Sequence, residues 1–394
     1  MSRKKKSLFK KKRTSPLAVA MVVFIFVLVA FVAISVAKPL IDRFSPEKPD
    51  PTPSVGDELP ESADPVTEAT VPPTEETTQP TAVTDPPVVK QGIYYLSFSE
   101  GDMLSQLVDA VNNAVADDCK GICVELMCVG GKLNYLTSNE TAISAEAIAS
   151  NAVSLEDMLL VINDAELIPY ARISALSDNV ASWYDRSICY LFEDSTSKWL
   201  DNALDKGGKP WISPFREGAK EYISSIVTEI SDAGFAGIVA GEFDFPPFRT
   251  KDLGYVGEIV KRPTRYTALT DFSNLLQDTL GSAKTYAVEV SAYDILAGEC
   301  ELLTDPALLN SAVIYVKYDS AQIGSRIVKS DDSIISFDGL SEAQKLTQVY
   351  RLVNTALASS GKRVIPSLAV ELPREEIFSA LADVGYKPDD LIIY

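Results

Sequence analysis

The 394-residue chain contains no histidine. That absence removes Ser-His-Asp and Cys-His catalysis, imidazole metal sites and histidine proton shuttles. The acid-base groups left are Asp, Glu, Tyr, Lys and Cys, so chemistry built on paired carboxylates is untouched. Cysteine is scarce as well, with Cys119, Cys123, Cys128, Cys189 and Cys300. The first three have C-x3-C-x4-C spacing, which is not a zinc pattern, so no metal is expected. They read as free, buried thiols, with one disulfide as the alternative and an odd thiol left over in either case. No Gly-rich phosphate loop follows the first predicted strand, so neither a nucleotide nor any other cofactor is expected. Basic residues are few: 36 Lys and Arg stand against 55 Asp and Glu. A third of those bases lie before residue 91, leaving residues 91–394 with a net charge of −20. That balance excludes a nucleic-acid surface and electrostatic docking on anionic lipid.

The first 90 residues have the wrong composition for a folded domain. Residues 1–16 carry eight Lys or Arg, and residues 17–37 are apolar or small apart from Ser35. As a helix, 21 residues reach about 30 Å, the thickness of a bilayer core. The basic flank places the N-terminus inside. A cleaved signal peptide, with Ser35-Val36-Ala37 as its cleavage site, is the alternative, but the apolar run is longer than a signal core requires. Both readings put the rest of the chain outside the cytoplasm, the first as a single-pass membrane protein. Residues 38–90 read as a disordered linker, with eleven Pro and eight Thr between 45 and 90. Extended, that stretch reaches on the order of 140 Å, enough to act as a stalk through a cell-wall layer.

Residues 91–394 alternate short apolar runs with amphipathic stretches. Strands are predicted at 92–97, 121–127, 168–174, 237–243, 285–291, 312–318, 364–370 and 390–394. Helices are predicted at 102–117, 154–165, 217–233, 265–281, 303–310, 341–360 and 373–384. Eight strands alternating with helices in about 300 residues predict an α/β fold, a (β/α)8 TIM-type barrel. An open doubly wound sheet is the alternative. Residues 175–216 are too long for one strand-to-helix connection and predict an excursion over one face of the barrel.

In such a barrel, chemistry sits at the C-terminal ends of the strands. The acids predicted there are Glu125, Glu242, Asp244, Glu289, Asp294 and Glu371. Glycoside hydrolysis needs two facing carboxyl groups, one protonated and one ionised. Glu242 or Asp244 after the fourth strand is the candidate acid, with Glu371 after the seventh or Glu125 on the second as its partner. Glu242 and Asp244 share a parity, which predicts that they point to one side. Arg172 and Lys317 are charges inside apolar strands, where a charge is rarely buried without a partner. They either orient a substrate or form ion pairs inside the barrel. Glu289, Asp294, Tyr315 and Trp211 complete the candidate substrate-binding set. Trp211 is an aromatic that could stack on a sugar, or else a loop anchor.

Four segments carry a resemblance. They are G-I-C-V-E-L-M-C-V-G-G-K-L-N-Y (121–135), I-P-Y-A-R-I-S-A-L-S-D-N-V-A (168–181), W-I-S-P-F-R-E-G-A-K-E-Y-I (211–223) and G-F-A-G-I-V-A-G-E-F-D-F-P (234–246). In this order they resemble a bacterial family of glycoside-hydrolase-like domains of the β/α-barrel class. The strand segments V-S-A-Y-D-I (290–295) and V-I-Y-V-K-Y (313–318) resemble it too. The resemblance implies a barrel outside the cytoplasm acting on polysaccharide, such as a peptidoglycan glycan. It also implies departures: the family has Asp where Glu125 and Gly241 stand, and Arg where Asp244 stands. Two functions follow, an active glycosidase or a barrel that binds glycan or scaffolds without cleaving.

Overall fold

The computed structural model describes residues 90–394 apart from 194 and 394. The predicted basic tail, membrane helix and nearly all of the linker lie outside the described residues. Among the described residues, no helix is long and apolar enough to cross a membrane.

Eight parallel strands form the core: β1 (Ile93–Leu96), β2 (Gly121–Met127), β3 (Ile168–Ser174), β4 (Gly237–Gly241), β5 (Thr285–Ser291), β6 (Val313–Asp319), β7 (Arg363–Ala369) and β8 (Ile392–Ile393). Each pairs with the next, and β1 pairs with both β2 and β8, which closes the sheet into a barrel. The predicted barrel is therefore the observed one, and the open sheet is excluded. Closure leaves no sheet edge to protect. A short segment, Leu133–Tyr135, hangs antiparallel from β2 and pairs with a further strand, Ile148–Val153.

The outer helices are amphipathic for the reason the sequence suggests. The helix Glu217–Ala233 buries Tyr222, Ile223, Ile226, Val227 and Ile230 on one face. Gly234 ends it in a left-handed conformation, at φ 116°, that a side chain would resist. The helix Glu342–Leu357 starts with a capping box between Ser341 and Gln344. The helix predicted at 303–310 does not form. Pro306 keeps Asp305 out of the helical region, at φ −133° and ψ 87°, so the stretch breaks into single 3-10 turns at Glu301–Leu303 and Pro306–Leu308. Instead, a short helix Ala292–Ala297 follows β5. The long excursion after β3 is observed, held by bridges between Cys189 and Ile212 and between Leu191 and Lys198. All five cysteines are free.

Alternate residues of each strand face the barrel axis. The lower interior is filled by Ile93, Tyr95, Cys123, Val239, Ala287, Tyr315, Ile365 and Ile392. Two residues further along six of the strands, the same inward parity gives Glu125, Arg172, Gly241, Glu289, Lys317 and Ser367. The interior thus switches from apolar to charged within one layer as it approaches the C-terminal mouth.

Candidate active site

Arg172 occupies the centre of that charged layer and is 3% exposed. Its Nη1 donates to Glu125 Oε1 at 3.0 Å, its Nε to Glu289 Oε1 at 2.9 Å and its Nη2 to Glu242 Oε1 at 3.3 Å. Nη2 also lies 2.8 Å from Glu289 Oε1. The outer oxygens of two of these acids are held as well, since Ser97 Oγ donates to Glu125 and Ser367 Oγ to Glu289, each at 2.8 Å. One cation and two hydroxyls therefore fix Glu125 and Glu289 with their charges balanced in part and their lone pairs answered. Arg172 thus forms ion pairs, at the level of the mouth.

Glu242 reaches this centre by an unusual route. It follows the inward position Gly241, so along a continuing strand it would point outward. β4 ends at Gly241, however, and Glu242 takes a left-handed backbone at φ 60°. That conformation swings its carboxylate back over the mouth. It is costly for a residue with a Cβ, and such strain concentrates at functional sites. Gly241 makes room for the arrangement. A Cβ there would lie 2.9 Å from Arg172 Nη2 and 3.4 Å from Glu289 Oε1. The guanidinium fills the space that an Asp on β4 would have claimed.

Beside this centre opens a cavity of about 270 Å3 lined by Glu242, Asp244, Glu289, Asp294, Lys317 and Asp319, with Gln322 and Cys300 at its wall. Asp244 is an exposed residue at the cavity, yet desolvation of its carboxyl by the surrounding protein, and then the charges of Asp294, Glu242 and Glu301, push it up to about 7. Asp294 is also raised, by burial and then by Glu299. Burial together with the charge of Asp244 pushes the Cys300 thiol up to about 12, so it stays a neutral wall. The site thus holds a carboxyl that keeps its proton near neutral pH beside one ion-paired to arginine. A raised carboxyl in a cleft is a candidate general acid. Among the described residues, no group of three His, Cys, Asp or Glu is placed to hold a metal ion.

The remaining candidates lie elsewhere. Glu371 is exposed, two residues beyond β7, and does not line the cavity. Tyr315 is one layer below the mouth, packed in the lower interior at 5% exposure. Trp211 donates its indole N–H to Asp201 at 3.0 Å and packs against the Tyr190–Trp199–Val260 cluster, which makes it an anchor of the excursion. Sequence reasoning missed Ser97, Ser367 and Asp319. Ser97 and Ser367 do share the inward parity of Tyr95 and Ile365, which was a usable signal.

Residues 92–323 match the family described as "Putative glycosyl hydrolase domain". The chain belongs to this family. No curated protein matches the chain. Solved structures similar to it include a hypothetical protein from Ruminiclostridium thermocellum, at 16% identity and TM-score 0.40, covering 47% of this chain and 90% of that one. The glycoside hydrolase domain of PelA from Pseudomonas aeruginosa matches at 10% identity and TM-score 0.39, covering 77% of this chain and 93% of that one. The trehalose-6-phosphate hydrolase TreA of Bacillus licheniformis matches at 11% and 0.44, covering 77% of this chain and 64% of that one, under two thirds of its length.

Proposed function

We propose that this family member is a glycoside hydrolase of the cell envelope, held to the membrane by residues 17–37 with its barrel outside. In this reading Asp244 is the general acid that protonates the leaving glycosidic oxygen. Glu242 supplies the second carboxylate, and water completes the cleavage. Glu125 and Glu289 are framework, because their lone pairs are engaged by Arg172 and serines. The observation that carries the reading is the raised carboxyl of Asp244 in a mouth cavity beside the ion-paired Glu242. The anchor rests on the basic residues 1–16 and the apolar run behind them, and the stalk on the Pro- and Thr-rich linker.

A second reading is a barrel that binds glycan without cutting it. The observation in its favour is Gly241, which leaves β4 without the inward acid that the family resemblance implies. The test is release of soluble sugar by the purified full-length protein from bacterial cell wall and a panel of polysaccharides, beside Asp244→Asn and Glu242→Gln. Release by the wild type and its loss in Asp244→Asn are expected. Co-sedimentation with a polysaccharide, without release from any, would replace the first reading by the second.

A further inference from the structure

A second cavity, of about 580 Å3, adjoins the first and shares Asp244 and Asp294 with it. Its floor is the segment that leaves β4: Phe245, Pro246, Pro247 and Phe248, with Leu253 beside them. This floor is rigidly backed. The Phe248 ring lies 4.7 Å from that of Trp199 and 5.2 Å from that of Tyr190, and Phe245 stacks on Phe215 at 5.8 Å and 14°. The rim is polar. Arg265 grips Glu301 with both arms of its fork, Nε to Oε2 at 2.8 Å, while its guanidinium carbon sits 5.1 Å from the Phe245 ring centre. Glu299 stands exposed beside them.

We propose that this cavity is a second sugar subsite, occupied by the unit across the cleaved bond, so that the substrate is a chain of neutral or cationic sugar units. The proposal rests on the reading of Asp244 as the acid. A pyranose ring presents apolar C–H faces and hydroxyl edges, and an apolar floor with a few fixed polar groups is the surface that suits it. Because two residues line both cavities, a glycan threaded past Asp244 places consecutive units in consecutive cavities. The sign of the charge sets the class of polymer. With Asp244 protonated as the acid, Asp294, Glu299 and Glu301 line this cavity against one cation, Arg265, and Glu242, Glu289 and Asp319 line the first against Lys317. A phosphate- or uronate-bearing chain would be repelled.

The test is calorimetric binding of N-acetylglucosamine oligomers from monomer to hexamer to the full-length protein, with glucosamine oligomers and oligogalacturonate alongside. The acid-disabled Asp244→Asn background prevents turnover during titration. Affinity is expected to rise on the order of tenfold from monomer to trimer, as a second ring covers apolar surface. Phe248→Ala should abolish that rise and leave monomer affinity unchanged. Pro247→Glu should do the same, and because Pro247 is exposed its replacement leaves the aromatic packing intact. Oligogalacturonate should not bind. An equal rise in wild type and both variants, no binding of either amino-sugar series, or tight oligogalacturonate binding would overturn the proposal. A rise lost in the variants from a protein that releases no sugar would keep the subsite and sink the hydrolytic reading. Sugar release with an unaltered rise would do the reverse.

Discussion

Two sets of carboxylates share the mouth of this barrel, and they are built in opposite ways. Glu125 and Glu289 point inward from strands, are nearly fully buried, and meet a guanidinium and a serine hydroxyl. Asp244 sits past the end of β4, accessible from a cavity, and the charges acting on it are those of Asp294, Glu242 and Glu301, all acids. The first pair is fixed in place by its ion pairs and hydrogen bonds. The second group is pushed toward its protonated form and open to a ligand. Glu242 joins the two sets, touching Arg172 on one side and the cavity on the other. The difference shows how one fold uses the same residue type as framework and as reagent: pairing makes a carboxylate structural, and withholding a cation makes it reactive.

The largest effect tests the framework. Arg172→Met removes the guanidinium that bridges three carboxylates, two of them buried. A loss of about 3–5 kcal/mol is expected, read as a lower midpoint in urea unfolding. A loss under about 1 kcal/mol would mean that Glu125 and Glu289 do not depend on it. Next comes the reagent. Asp244→Asn should lower sugar release by about two to four orders of magnitude, the range for general acid catalysis, without lowering the unfolding midpoint. The wild-type rate should fall as pH rises through about 7, where Asp244 loses its proton. The linkage has the same sign. The folded carboxyl holds its proton to about 7 while the unfolded one releases it near the ordinary value of about 4, so stability declines with rising pH across that interval. Asp244→Asn should flatten the decline, and an unchanged slope would show that Asp244 is not the group responsible.

Much of this frame was legible before any coordinates. Strand positions at 121–127, 168–174 and 285–291 and the helix at 217–233 follow from apolar runs and periodicity, which depend only on local sequence. The inward parity of Glu125, Arg172 and Glu289 follows from the same alternation. Other features depend on contacts between distant segments. The hydroxyls of Ser97 and Ser367 matter because β1 lies beside β2 and β7 lies near β5 across the mouth, and spacing along the chain does not reveal that. The backbone turn at Glu242 is a single left-handed residue, and a Glu gives no hint of it, since Gly or Asn is the usual occupant. A strand continuing past Gly241 would carry Glu242 outward, and the local conformation reverses that. Glu371 was drawn in by its place after β7, but the chain leaves the barrel there and the side chain faces solvent.

Gly241→Ala probes how closely the framework and β4 are fitted. The added Cβ would meet Arg172 Nη2 at 2.9 Å, and a guanidinium held by three carboxylates cannot move aside freely. A cost of about 1–3 kcal/mol is expected, as for overpacking elsewhere, together with slower sugar release as Glu242 is displaced. A neutral substitution would show that the guanidinium has slack.

The smallest expected change is the most discriminating, because it separates the two sets at the residue that joins them. Glu242→Gly relieves the left-handed backbone, worth about 1–2 kcal/mol, and removes an ion pair whose acid is one-third exposed, worth about 0–1 kcal/mol. Glycine's greater freedom in the unfolded chain returns roughly 0.5–1 kcal/mol of the gain. Stability should therefore stay within about 1 kcal/mol of the wild type, while sugar release is lost. A protein that becomes inactive without becoming weaker would assign Glu242 to the reactive set, its strain retained for position. If the midpoint instead fell by as much as it does for Gly241→Ala, Glu242 would be a third strut of the arginine frame, and Asp244 would have to find its partner carboxylate in Asp294 or Asp319 across the cavity.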